Sequence, residues 1–66
     1  MIGSAIKAYL EENGIKQSFV AEKSGIDPSR MSAILNNGRS IDCVTYYKIC
    51  KALNVPLGQF FEGLEL

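Results

Sequence analysis

A short segment near the middle of the chain combines small polar side chains with a single arginine. If residues 28–36 are helical, the face opposite their apolar stripe and its flanks carry Ser29, Arg30, Ser32, Ala33, Asn36 and Asn37. Hydroxyl and amide groups can both donate and accept hydrogen bonds, and a guanidinium can hold two acceptors at once. The chemistry available to this face is therefore recognition through hydrogen bonds.

Residues suited to catalysis or to metal binding are scarce. The chain has no histidine, no glycine-rich phosphate loop and no cysteine with an activating neighbour, so we do not expect an enzyme. Cys43 and Cys50 would lie about 10 Å apart along one helix, which is too far for a disulfide. We interpret both as small buried apolar side chains, and we expect no zinc site, no cofactor and no small-molecule ligand.

Length and composition indicate one small domain. The 66 residues are 47% hydrophobic, and seven basic and seven acidic side chains give a formal net charge of zero. A core near the lower size limit for unaided folding is expected, and the neutral charge argues against a highly basic protein that coats nucleic acid. No apolar run could span a bilayer and no signal peptide is apparent, so we expect a cytoplasmic protein without a membrane partner.

Apolar spacing and turn residues predict an all-α, compact five-helix bundle in a single domain, residues 1–66. The predicted helices span about 2–13, 17–24, 28–36, 43–53 and 57–62. The third has the clearest start, because Asp27 can cap the first amides and Pro28 suits the first helical position. Asp42 is the predicted cap of the fourth, and Ile41 and Tyr46 are spaced as a hydrophobic staple around it.

The segment QSFVAEKSGIDPSRMSAILN, residues 17–36, has the pattern of two short helices joined by a tight turn. Ala21 stands where the two helices must approach closely, and Gly25 is placed for the sharp turn. The small core between the helices is predicted to contain Val20, Ile26, Met31 and Ile34. These offsets match the helix-turn-helix template.

With its flanking helices, this segment resembles the phage repressor and Cro-type (Xre-like) helix-turn-helix domains. The resemblance extends from about Ile6 to Phe61 and also rests on the lead-in GIKQ and the ending KICKALNVPLGQFF. It implies a lambda-repressor-like fold and a small transcriptional regulator, most simply a repressor, that binds double-stranded DNA. It further implies a homodimer on a pseudo-palindromic operator, with the helix that begins at Pro28 in the major groove.

The resemblance makes the polar face a DNA-reading surface. The expected DNA-binding residues are Lys16, Gln17, Ser29, Arg30, Ser32, Ala33, Asn36, Asn37 and Arg39. In the family, the residue matching Gln17 helps to clamp the DNA backbone. Arg30 could bind guanine with two donors or grip a phosphate, and both alternatives remain open. Lys16 and Arg39 are phosphate candidates, or else ordinary solvated charges.

Three residues depart from the family pattern. Leu10 and Leu35 stand where many relatives have a buried Arg–Glu pair, and we predict that the two leucines contact each other. Replacing both members of the pair by leucine leaves no buried charge without a partner. Phe19 stands where relatives usually carry an exposed polar residue, and it could pack against the first helix or contact a partner.

Two surfaces are candidates for the homodimer contact. One is the helix at 57–62 with the tail, which carries Phe60, Phe61, Leu64 and Leu66, and the other is the loop 37–41.

A second function is also compatible with these residues. A domain of the same fold could be a protein-interaction module, similar to an antitoxin or an adaptor, with little affinity for DNA. The neutral charge and the short side chains at 28–36 favour this alternative.

Overall fold

The computed structural model describes residues 2–36 and 40–61, which form four α-helices and one turn of 3₁₀ helix. The helices are α1 (Ile2–Glu12), α2 (Gln17–Ser24), α3 (Pro28–Asn36) and α4 (Cys43–Leu53), and the 3₁₀ turn spans Leu57–Phe60. No strand occurs within the described ranges, so the prediction of an all-α fold is confirmed. No helix there has the length and apolar character needed to cross a membrane.

The prediction of a fifth α-helix at 57–62 is wrong. Leu57–Phe60 make a single 3₁₀ turn, in which the Gln59 amide donates to the Pro56 carbonyl at 3.0 Å. Glu62 lies outside the described residues. A segment this short that contains Gly58 forms too few helical hydrogen bonds to offset the cost of ordering its backbone as an α-helix.

Left-handed residues end the helices where the sequence predicts. Gly14 and Gly25 have φ angles of 64° and 72°, and Asn54, at 57°, ends α4. The Ile26 amide then donates to the Ala21 carbonyl at 3.0 Å, which closes the turn after α2.

The two predicted helix caps have different outcomes. Asp27 Oδ2 accepts hydrogen bonds from the amides of Ser29 (3.0 Å) and Arg30 (3.2 Å), so this cap is confirmed. The Asp42 side chain makes no capping hydrogen bond, and only its backbone carbonyl accepts from the Tyr46 amide, at 2.9 Å. Asp42 is therefore the N-cap residue of α4, as predicted, although its carboxylate makes no capping hydrogen bond.

One hydrophobic core joins all the elements. Helix α3 packs against α1 and α2, α2 also packs against α4, and the 3₁₀ turn closes the core against α1 and α4. The core residues are Ile6, Leu10, Val20, Ala21, Ile26, Met31, Ile34, Leu35, Tyr46, Ile49, Cys50 and Phe60. Leu10 and Leu35 are thus buried in the same cluster on two helices that pack together, although their direct contact stays a prediction.

The two cysteines differ in burial. Cys50 is 1% exposed on the inner face of α4, as predicted, whereas Cys43 is exposed and free. The prediction that both are buried is wrong because Cys43 is the first residue of α4, beyond the part of the helix that the core covers.

Aromatic side chains fasten the 3₁₀ turn to the helices. The Tyr46 hydroxyl donates to the Leu57 carbonyl, and the Tyr46 ring stacks on Phe61 with centroids 5.3 Å apart. Phe60 is buried, and its ring meets Tyr9 edge-on at 5.5 Å. These contacts hold the end of the described chain against α1 and α4.

Candidate nucleic-acid interface

Three residues, Gly25 to Asp27, join α2 and α3 and set the angle between them. The residues predicted to fill the interior of this motif are all buried: Val20, Ala21, Ile26, Met31 and Ile34. Because these side chains occupy the inner faces, the outer face of α3 is left to its polar residues. Ser29, Arg30 and Asn36 are exposed on that face, whereas Ser32 and Ala33 are partly buried.

The first residue of α2 and the last residue of α3 lie side by side. The Asn36 side-chain amide is 3.4 Å from Gln17 Oε1, and it also donates to the Ser32 carbonyl at 3.1 Å. The Ser32 hydroxyl lies 3.3 Å from the same nitrogen. Three of the predicted site residues are therefore one hydrogen-bonded group, although Gln17 and Asn36 are 19 positions apart in sequence.

The N-terminus of α2 is open. Lys16, the N-cap residue, has an extended backbone and no side-chain cap, and its carbonyl accepts from the amides of Phe19 (3.1 Å) and Val20 (3.3 Å). The amides of Gln17 and Ser18 belong to the first turn, where an α-helix has no internal acceptor for its N–H groups. An anion such as a phosphate is favoured at such a helix end, and the exposed Lys16 adds positive charge beside it.

Arg30 is paired within the protein. Its Nη2 lies 3.1 Å from Asp42 Oδ1, and the two side chains are 54% and 57% exposed. The Thr45 hydroxyl, and to a smaller extent the Arg30 charge, hold the pKa of Asp42 below its ordinary value, so the carboxylate is ionised at neutral pH. Because both partners are solvated, the pair is weak and can open when a stronger acceptor approaches.

Sequence reasoning did not anticipate the Arg30–Asp42 pair or the Gln17–Asn36 contact. Both join residues on different helices, so no helical or strand periodicity relates them. Of the other predicted site residues, Lys16 is exposed at the start of α2, and Asn37 and Arg39 lie outside the described residues.

Phe19 is 51% exposed, and the Lys23 ammonium lies over its ring at 5.8 Å from the centroid. This ring faces solvent over half of its surface, which leaves room for the partner contact considered above.

The geometry defines the class of the molecule as an all-α helix-turn-helix domain with a polar outer face on its second motif helix. A family model described as helix-turn-helix matches residues 6–60, and the chain therefore belongs to the Cro/C1-type (Xre-like) helix-turn-helix family. No curated protein and no solved structure matches the chain. Membership of this DNA-binding family confirms the resemblance and indicates a DNA-binding regulator.

Proposed function

We propose that the protein binds double-stranded DNA sequence-specifically, with α3 in the major groove, and acts as a small transcriptional repressor. The contact between Gln17 and Asn36 carries this proposal. It joins the open N-terminus of α2, suited to a phosphate, to the outer face of α3, suited to base edges. A helix-turn-helix needs a phosphate-binding group and a base-reading face on one surface. The phosphate contacts fix the position of the protein on the duplex, and the base contacts then read the sequence at that position.

The base-reading roles follow from side-chain chemistry. Ser29, Ser32 and Asn36 can bond base edges or phosphates, and Ala33 can only contact a thymine methyl or permit close approach. Arg30 is the one side chain of α3 that can bind guanine with two donors, or it grips a phosphate instead. Because the other side chains are short, DNA shape and bridging waters contribute much of the specificity.

The backbone contacts come from the ends of the motif. Lys16 and Gln17 bind one phosphate together with the first amides of α2. Asn37 and Arg39, just beyond α3, are proposed to extend the same track. Few basic residues take part, so one domain binds weakly and a second copy is needed.

The second copy is proposed to dock on an apolar groove between the beginning of α1, the beginning of α4 and the 3₁₀ turn, where Asp42, the partner of Arg30, also lines it. The groove has a volume of about 300 Å³, and its lining includes Ile2, Ile41, Cys43, Tyr47, Leu57 and Phe61. Ile41 comes from the end of the loop 37–41, and Leu57 and Phe61 come from the last element, so the two candidate dimer surfaces border one groove. Leu57 and Phe61 are 50% and 47% exposed, which a second copy would reduce.

Selection from random duplexes at low salt, followed by a gel shift on the selected sequence, tests the proposal. Arg30→Ala and Ser29→Glu are expected to abolish the shift while the circular dichroism spectrum stays helical. Lys7→Ala and Ser4→Glu are the matched controls, because they make the same charge changes on α1. A dimer on half-sites about 10 bp apart, neutralising roughly four to seven phosphates, gives a log–log salt slope of about −4 to −6.

The alternative function is a protein-interaction module with little DNA affinity. The observation that favours it is the Arg30–Asp42 pair, which occupies the strongest base-reading side chain of a chain with zero net charge. The same gel shift separates the two functions. The regulator function is refuted if wild type shifts no duplex at low salt. It is also refuted if Arg30→Ala and Ser29→Glu bind the duplex as tightly as wild type does.

A further inference from the structure

We propose that a lysine-lined groove between α2 and α4 is a docking surface for an acidic segment of a partner protein. The groove, here called the lysine groove, has a volume of about 410 Å³ and is lined by Lys23, Ser24, Tyr47, Lys48, Lys51 and Ala52. None of these residues belongs to the surface proposed to bind DNA. The inference therefore stands independently of the proposed DNA contacts, although Tyr47 also lines the apolar groove proposed for the second copy.

Positive charge is concentrated in this groove. Three of the seven basic residues of a chain with zero net charge line it. Lys48 and Lys51 are three positions apart on α4, where like charges are neighbours on the helix surface and repel each other. In residues 2–36 and 40–61 the one ion pair is that of Arg30 with Asp42, so none of the three lysines is paired with a described carboxylate. A bound anionic group would relieve this repulsion.

The aromatic side chains beside the lysines point to a protein segment rather than to a phosphate backbone. Tyr47 is 49% exposed, and the Lys51 ammonium lies 3.4 Å from its hydroxyl and 5.7 Å from its ring centroid. On the neighbouring surface, Lys23 lies over the half-exposed Phe19 ring. Apolar area between ammonium groups matches a segment in which carboxylates alternate with apolar side chains, because each kind of group then meets its complement.

The position of the groove also separates it from the proposed DNA surface. Lys23 is six residues after Gln17, which places it about 9 Å further along the axis of α2. Lys48 and Lys51 belong to the second and third turns of α4, away from the loop that joins α3 to α4. Duplex bound at the N-terminus of α2 and at α3 would leave this groove open to a protein.

Fluorescence anisotropy with a labelled peptide of alternating glutamate and leucine tests the proposal. Lys51→Glu is expected to weaken binding roughly tenfold, and binding is expected to weaken as salt is raised. Lys7→Glu, the same charge reversal on α1, is expected to change the affinity less than about twofold. A peptide with glutamine for glutamate, or serine for leucine, is expected to bind several-fold more weakly, because the groove offers both charge and apolar surface.

Four results would overturn the proposal. The first is that wild type does not bind the glutamate–leucine peptide. The second is that Lys51→Glu and Lys7→Glu change the affinity for that peptide equally. The third is that the peptide with serine for leucine binds as tightly as the glutamate–leucine peptide. The fourth is a loss of duplex affinity in Lys51→Glu well beyond that in Lys7→Glu, which would assign the groove to DNA phosphates. Lys51→Gln, with circular dichroism as the check on folding, repeats the comparison without introducing a negative charge.

Discussion

Among the single residues, Arg30 has two competing partners, a guanine base and the Asp42 carboxylate. It is the one side chain of α3 that can bind guanine with two donors, and in the free protein it pairs with Asp42. Asp42 also brings a negative charge close to a surface proposed to meet phosphates. The pKa of Asp42 is lowered in the fold from 3.8, chiefly by the Thr45 hydroxyl and less by Arg30. Its ionised form therefore stabilises the protein above the unfolded pKa, and this stability is lost as the pH falls through the lowered value. The competition therefore operates at neutral pH.

Asp42→Asn is expected to tighten duplex binding by roughly two- to tenfold, because it frees Arg30 and removes a charge that repels phosphates. The measurement is a gel-shift titration at constant salt. Glu11→Gln removes the same charge from α1 and serves as the control. Weaker binding by Asp42→Asn than by wild type would mean that the pair holds Arg30 in its binding geometry, contrary to this prediction.

Among the helices, the close packing of α1 against α3 depends on Gly3. A Cβ atom at Gly3 would overlap the carbonyl oxygen of Ile34, which is a backbone atom and cannot rotate away. Gly3 is itself buried within α1. The absence of a side chain at this position therefore allows α1 to lie close against the helix that carries the polar face.

Gly3→Ala is expected to destabilise the fold by about 1–3 kcal/mol, measured by urea unfolding. Alanine stabilises a helix relative to glycine by up to about 1 kcal/mol. The overlap with the Ile34 carbonyl must outweigh this gain for the free energy of unfolding of Gly3→Ala to fall. Gly58→Ala is the control, because nothing lies within 4 Å of a Cβ at Gly58. Equal stability of Gly3→Ala and wild type would show that α1 can shift without cost.

Tyr46 links α4 to the 3₁₀ turn, and its ionisation predicts a loss of stability in alkali. Burial, and then the neighbouring Cys50 thiol, raise the pKa of Tyr46 from 10.0 to about 12. The neutral hydroxyl therefore contributes its full stabilisation below about pH 10, which is the pKa of the tyrosine in the unfolded chain. This stabilisation is lost as the pH rises towards 12. Burial also raises the pKa of Cys50, which adds to the loss in the same direction.

Unfolding by urea at pH 8 and at pH 11 tests this expectation. Wild type is expected to lose stability between the two, and Tyr46→Phe to lose less, because its ring cannot ionise. At pH 8 the variant is expected to be less stable by about 0.5–1.5 kcal/mol, owing to the missing hydrogen bond to the Leu57 carbonyl. An identical alkaline loss in both proteins would contradict the role assigned to Tyr46.

The whole molecule presents three chemically different surfaces despite its zero net charge. The outer face of α3 is polar, the groove beside Phe61 is apolar, and the lysine groove is cationic. Each suits a different partner: a duplex, a second copy and an acidic segment. The apolar groove and the lysine groove share Tyr47, so an acidic segment and a second copy would meet at this residue.

Cys43 reports on the proposed dimer because it is exposed in the apolar groove. Its alkylation by a maleimide is expected to slow several-fold as protein concentration rises or operator duplex is added, while the buried Cys50 reacts little. The double variant Cys43→Ser/Ala8→Cys, with its thiol on the exposed side of α1, is the control and should react at a constant rate. Monomeric sedimentation at every concentration, with and without duplex, would refute the dimer.

The sequence by itself determined the α-helices and the position of the motif. Asp27, Pro28 and Gly25 act on their own backbone or on amides two or three residues away, so their effect can be read locally. Apolar spacing likewise identified the buried face of each helix. Family membership followed from the same short-range features.

Only the tertiary structure decided how the helices bring distant side chains together. It paired Arg30 with Asp42 and set Gln17 beside Asn36. It also exposed Cys43, which we interpret from sequence alone as a small buried side chain. These features depend on the crossing of helices and on where the core ends, which are set by packing among residues far apart in the chain. No local pattern carries that information, because the free energy that fixes it arises only when the elements meet.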